Sequence, residues 1–220
     1  MENKEKFEKN DGFSEIRRAV LAKMLTIAPF DGWTHASLAQ AGQIAGVSES
    51  ELAATFPRGV GDILKFWSAQ LDNEMLVEIA SDDFHALKIR EKVTLAIEAR
   101  LECVSPHKEA ARRAAAFLAM APNTPLGTEL TWATADAIWR HLGDTSTDFN
   151  CYSKRGVLSG VLVSTNLQWF ADDGDGERTK TFIRARIENV MQFEKAKASV
   201  KKVALDPAAI AGWFAKQRYR

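Results

Sequence analysis

Apolar residues recur at steps of three and four along most of this chain, and almost nowhere at steps of two. Phe13, Ile16, Val20, Met24 and Ile27 form one such stripe. That period matches one face of an α-helix and is incompatible with a half-buried strand. The period predicts an all-helical chain. Helices are expected over 13–28, from near Thr34, over a short segment ending at Phe56, from Gly61–Asp62 to Ile79, and over 83–103. Others follow from Pro106, over 127–142, over 149–170 and over 177–198. Gly46-Val47-Ser48 reads as a turn, with Ser48 and Glu51 spaced as a capping box. Pro29, Asp31 and Gly32 are expected to end the first helix, and Pro122 and Pro125 the sixth. Asp206 and Pro207 are spaced to open a last short helix.

With 220 residues the chain is long enough to bury a core without disulfides or metals. Its formal net charge is zero, so no global field draws it to nucleic acid. The charge is unevenly spread. Lys195, Lys197, Lys201, Lys202, Lys216, Arg218 and Arg220 face one acid, Asp206, in the last 26 residues. Such a basic tail suits an anionic lipid surface. The longest uncharged apolar-leaning run, 156–171, is interrupted by Ser159, Ser164, Thr165, Asn166 and Gln168, so no segment is expected to span a membrane. The first eleven residues lack the apolar core of a secretory signal and are too acidic for a typical transit peptide. A bacterial-type cytoplasm with peripheral membrane attachment is the expectation.

Thr34, Gly46-Val47-Ser48, Leu52, Phe56 and Leu64 resemble the helix-turn-helix of TetR-type regulators, although the stretch from Leu38 to Gly46 is longer than those proteins use. Residues 1–59 would form that unit. Its third helix, Ser48 to Thr55, holds Glu49 and Glu51 and no base. Phosphate contacts supply most non-specific DNA affinity, and Arg, Lys, Asn and Gln do most base reading. A helix with two carboxylates and none of those four is not expected to bind DNA.

A denser signal lies further on. It runs through Asp136-Ala137-Ile138-Trp139, then Gly143-Asp144-Thr145-Ser146-Thr147-Asp148-Phe149-Asn150-Cys151-Tyr152-Ser153-Lys154-Arg155, then Ser164-Thr165-Asn166-Leu167. Gly32-Trp33, Phe56-Pro57-Arg58-Gly59 and Ala121-Pro122-Asn123 accompany it in order. Together these resemble the CoQ-nine family, lipid-binding accessory proteins of ubiquinone biosynthesis with a TetR-like fold. The resemblance implies an apolar cavity for a quinone or isoprenoid lipid in a helical domain over 60–198. It implies presentation of a quinone intermediate to a di-iron demethoxyubiquinone hydroxylase, no catalysis by the chain itself, no cofactor, and a homodimer through helices eight and nine. Asp144, Asp148, Asn150, Tyr152, Lys154 and Arg155 would belong to the partner patch. Cys151 departs from the family's usual Trp, and loss of an aromatic anchor weakens or reshapes such a contact. From the residues alone, Asp144 and Asp148 equally suit capping of helix eight, and Arg155 a solvated face.

Helix eight carries apolar residues on nearly every side, which predicts a central position. Leu158, Val161, Leu162 and Trp169, with Phe117, Leu118 and Trp139, are the candidate lipid-lining residues. Close-packed core accounts for the same pattern, and the cavity reading comes with the resemblance. Residues 199–220 would form a basic linker and an amphipathic helix. There Ile210, Trp213 and Phe214 would enter a membrane interface beside Lys216, Arg218 and Arg220. Burying each large apolar side chain contributes roughly 1.5–3 kcal/mol. The alternative for that helix is docking on the chain's own core or on a second copy.

Two rival functions remain open. One is a TetR-type ligand-responsive transcriptional regulator, against which the acidic third helix counts. The other is a lipid-modifying enzyme, for which the sequence holds no nucleophile, metal or cofactor motif. His35, His85, His107 and His141 are scattered, Cys103 and Cys151 form no CxxC, and Asp172 to Glu177 lacks the length of a calcium loop.

Overall fold

The computed structural model describes the backbone over 2–81, 84, 86–147 and 149–204, and side chains over 13–81, 84, 86–147, 151–190 and 192. Within these residues the chain is helical throughout and holds no strand. The elements are α1 (Glu2–Asp31), α2 (His35–Ile44), α3 (Glu49–Thr55), α4 (Val60–Glu78), α5 (Ile89–Val104), α6 (Lys108–Ala119), α7 (Thr124–His141), α8 (Phe149–Phe170) and α9 (Glu177–Ala204). Single 3-10 turns at Ser105–His107 and Ala121–Asn123 lead into α6 and α7.

The first three helices form the expected helix-turn-helix unit. Thr34 caps α2 through its side chain, which accepts from the Ser37 N–H at 3.0 Å. Ser48 and Glu51 make the capping box of α3. The turn between α2 and α3 needs Gly46, whose φ of +71° is strained for any residue with a Cβ. The two helices also cross closely. A Cβ on Gly42 would stand 2.8 Å from the Leu52 side chain. The Glu51 carboxylate accepts from the Ser48 hydroxyl at 2.5 Å and from the Ser48 N–H at 2.9 Å, and these bonds, the hydroxyl's first, lower its pKa.

Trp33 joins this unit to the rest. Its ring stacks on Trp67 of α4 with centroids 5.4 Å apart, and its Nε1 donates to the Ala110 carbonyl of α6 at 2.9 Å. A buried indole with its N–H satisfied contributes area without a desolvation penalty. Beyond it, α4 packs on α5 and α7, α8 on α7 and α9, and α9 back on α5. One continuous apolar cluster runs from Val20 in α1 to Ile187 in α9.

Several boundaries differ from the sequence reading. Helix α1 begins at Glu2 and continues through Pro29 to Asp31 before Gly32 ends it. Proline in the last turn forfeits one hydrogen bond, too little to stop a helix packed on α2 and α6. Pro125 does not close the sixth helix but opens α7 in its first turn, where a missing N–H costs nothing. Helix α5 starts at Ile89, later than expected, where the Lys88 N–H donates to the Glu91 carboxylate at 2.9 Å. Helix α9 runs on through the basic stretch to Ala204, beyond the expected end at 198.

Helix α8 also departs from expectation. Arg155, Leu158, Val161, Leu162, Thr165 and Trp169 face inward, but Val163 and Leu167 do not. Leu167 is 63% exposed. The helix is apolar all round because it borders solvent with an apolar face, not because protein surrounds it. No described helix is long and apolar enough to cross a membrane. Ile210, Trp213, Phe214, Lys216, Arg218 and Arg220 lie outside the described residues, as does Asp148.

Candidate functional site

The motif between Asp136 and Arg155 folds into a corner where α7 meets α8. Arg155, in the second turn of α8, is only 4% exposed. Its Nε donates to Asp136 Oδ1 at 2.6 Å, and its Nη1 to Asp144 Oδ2 at 3.1 Å and to the Cys151 carbonyl at 3.2 Å. Lys154 Nζ donates to Asp144 Oδ1 at 2.7 Å, and the Ser146 hydroxyl donates to the same carboxylate. The Lys154 bond, with those from Ser146 and Arg155, holds the Asp144 carboxyl well below the usual carboxylate range despite its burial. The Asp136 bond likewise raises the Arg155 guanidinium. Asp136 spends its other oxygen on Arg140 at 2.7 Å. The spacing that makes Asp144 look like a helix cap thus serves another purpose. Asp144 is the brace that ties the 143–147 turn to α8.

This geometry sorts the candidate patch residues. Arg155 lies behind the surface, and no partner reaches its guanidinium in this conformation. Tyr152 lies in front, 63% exposed, its ring tilted against Trp132 of α7 at 6.2 Å. Lys154 is partly exposed between the two. Cys151 is a half-buried free thiol. Asn150 lies in the first turn of α8, its side chain outside the described residues. Sequence reasoning missed Trp132. The available signal was its spacing four residues before Asp136 and seven before Trp139, which puts all three on the α8-facing side of α7.

The seven apolar candidates separate into three places. Trp139, Leu158 and Val161 line a groove of about 220 Å³ between α5, α7, α8 and α9, completed by Val157, Ile187 and Val190. Arg90, Ser153 and Lys154 stand at its rim. Leu118, Leu162 and Trp169 line a second cavity, of about 150 Å³, on the other side of α8 and among α4, α5, α6 and α7. Phe117 lines neither; it borders a surface hollow with His35, Arg58 and Asp62.

The groove and the corner share a wall. Lys154 Nζ sits 5.3 Å over the Trp139 ring while it bonds Asp144, and Trp139 Nε1 donates to the Lys154 carbonyl at 3.3 Å. One side chain therefore touches both the apolar groove and the braced turn. Among the described residues no group of three His, Cys, Asp or Glu side chains is placed to hold a metal ion.

A family model described as COQ9 matches residues 124–194, the stretch that forms α7, α8 and most of α9. The chain is 30% identical over 196 residues to "Ubiquinone biosynthesis protein COQ9, mitochondrial" of Rattus norvegicus, across 85% of this chain and 62% of that protein. It is 26% identical over 196 residues to the protein of the same name in Homo sapiens, across 85% and 61%. It is 28% identical over 215 residues to that of Xenopus tropicalis, across 92% and 66%. The chain spans about three-fifths of the length of the first of these relatives.

Proposed function

Because this chain belongs to the COQ9 family, we propose that it is a lipid-binding accessory protein of ubiquinone biosynthesis, which presents a quinone intermediate to the demethoxyubiquinone hydroxylase and is not itself an enzyme. One observation carries this reading. The family-matched stretch supplies most of the wall of the apolar groove, from Trp139 to Val190, and the braced corner beside it, with Ile89, Arg90 and Val93 of α5 closing the groove. A quinone or isoprenoid chain in the groove would lie against Trp139, next to the surface where Tyr152 and Trp132 offer an aromatic anchor. Aromatic anchors dominate the energy of many interfaces. The groove is smaller than the roughly 300–1,000 Å³ of sites that enclose a drug-sized ligand. It suits part of a chain held for transfer better than a whole lipid sealed from solvent.

In this reading the protein acts peripherally, on the cytoplasmic face of a membrane, and an anionic surface attracts its basic C-terminal stretch. A second copy packs on the exposed apolar face of α8. The names of the animal relatives place those proteins in mitochondria. DNA binding finds no support in α3, whose exposed face presents Glu49 and Ser50.

The test is native mass spectrometry of the purified protein with solvent extraction of whatever it carries. The reading expects quinones or isoprenoids to co-purify, and Val161→Trp, which fills the groove, to reduce them. A protein that purifies empty and ignores added quinone would sink it.

A further inference from the structure

Lys154 is held at three points, and they belong to two different places. Its carbonyl accepts from Trp139 Nε1 at 3.3 Å, which ties this turn of α8 to α7. Its ammonium lies 5.3 Å over the Trp139 ring, in the lining of the groove. The same ammonium donates to Asp144 Oδ1 at 2.7 Å, in the corner. Its side chain is 30% exposed. Asp144 has further donors in Ser146 and Arg155, so the corner does not depend on where the ammonium lies. The backbone here is fixed, and the end of the side chain has two places to be.

The inward position suits an open, wet groove. An ammonium over an indole gains from the negative face of the ring, but two of its three N–H groups still need acceptors. A hydrocarbon chain in the groove covers that ring and removes the water that supplies them. A cation stripped of water beside hydrocarbon is strongly disfavoured. Val157, Leu158, Val161, Ile187 and Val190, the apolar walls, have no side-chain acceptor to offer in exchange. Water and Asp144 lie the other way, toward the surface that carries Tyr152, itself 63% exposed.

We infer that Lys154 is a switch through which a filled groove raises the affinity of this protein for its partner. An apolar chain in the groove drives the ammonium off Trp139 and adds a cation to the surface beside Tyr152, where an acidic side chain of the partner accepts it. The inference rests on the lipid-presenting reading for what fills the groove and what docks at the corner; the coupling between the two is what it adds. Linkage makes the effect reciprocal. A partner that holds the ammonium outside makes the groove bind its ligand more tightly by the same factor. Loaded protein is then engaged in preference to empty protein. Once the ligand leaves, the ammonium returns to Trp139 and the grip on the partner loosens.

In the test the full chain is immobilised, and the Kd of the purified hydroxylase is measured with and without saturating decylubiquinone. The wild type should bind the hydroxylase about fivefold more tightly when loaded, the lower end of the usual coupling between two sites. Lys154→Met keeps the stem and removes the charge, and should bring the two Kd values together. Lys154→Arg keeps a cation that can reach both the ring and Asp144, and should retain the difference. Equal Kd values for loaded and empty wild type overturn the inference. So does a difference that survives Lys154→Met, which would come from the quinone touching the hydroxylase directly. If Lys154→Met does not fold, Trp139→Leu, which takes away the inward position, decides in its place: the difference should vanish, and its persistence overturns the inference. Quinone and hydroxylase that both bind, but independently, remove the switch and leave the lipid-presenting reading standing. A chain that binds no quinone, or no hydroxylase, sinks that reading and the switch with it.

Discussion

Replacing Asp144 by Asn removes the negative charge and one of the two oxygens that Ser146, Lys154 and Arg155 share, while Arg155 keeps Asp136. Breaking one arm of such a buried cluster should cost about 2–3 kcal/mol in a denaturant titration. An unchanged midpoint would show that the corner does not depend on it. The pH dependence follows from the lowered pKa of Asp144. A group whose folded pKa lies below its unfolded value contributes stability above the unfolded value, about pH 4, and loses it as pH falls through the folded value. Wild type should therefore lose stability more steeply than Asp144→Asn below about pH 4, and thermal melts between pH 6 and pH 3 check this. Tyr152→Ala should behave oppositely. The ring is exposed, so stability should fall by about 1 kcal/mol or less, while affinity for the hydroxylase measured by titration drops by about tenfold. The family resemblance singled out Tyr152, and its exposure beside Trp132 came only with the structure. The depth of Arg155 was not legible, because its chief partner, Asp136, comes from another helix and spacing carries no information about burial.

Among the elements, the sharpest sequence readings were those fixed by local chemistry. Ser48 and Glu51 set the start of α3 by hydrogen bonds three residues apart, and both bounds of α8 lay between polar turns. Ser48→Ala should cost about 1 kcal/mol, the usual worth of such a cap, and no loss on denaturation would argue that α3 is held by packing alone. The misreadings share a cause. Proline has opposite meanings at the two ends of a helix, and Pro125 was assigned to the helix before it instead of the one after. Whether α8 was wrapped by protein or bordered solvent also could not be read from its composition, since both give an apolar circumference. Its exposed face makes the next prediction. Leu167→Asp should leave the monomer folded and shift any dimer towards monomer in sedimentation velocity. A dimer that survives this substitution would be built elsewhere.

At the scale of the whole molecule, period led to an all-helical chain, and the resemblance to TetR-type regulators to a helix-turn-helix unit at its start. The grouping of its apolar residues into sites was not legible. Trp139 and Leu162 read as neighbours of one cavity, but α8 stands between them and separates the groove from the second cavity. Only the packing of five helices decides on which side each residue falls. The same packing sets Lys154 between groove and corner, where lipid and partner would meet. The central claim is that the protein delivers a quinone to another enzyme. The most direct measurement is hydroxylation of demethoxyubiquinone in anionic vesicles by the purified hydroxylase, with and without this chain. The account predicts that the chain raises the rate, that Val161→Trp and Tyr152→Ala each lose the effect, and that the chain alone turns over nothing. A hydroxylase rate indifferent to the chain, or hydroxylation by the chain without the enzyme, would contradict it.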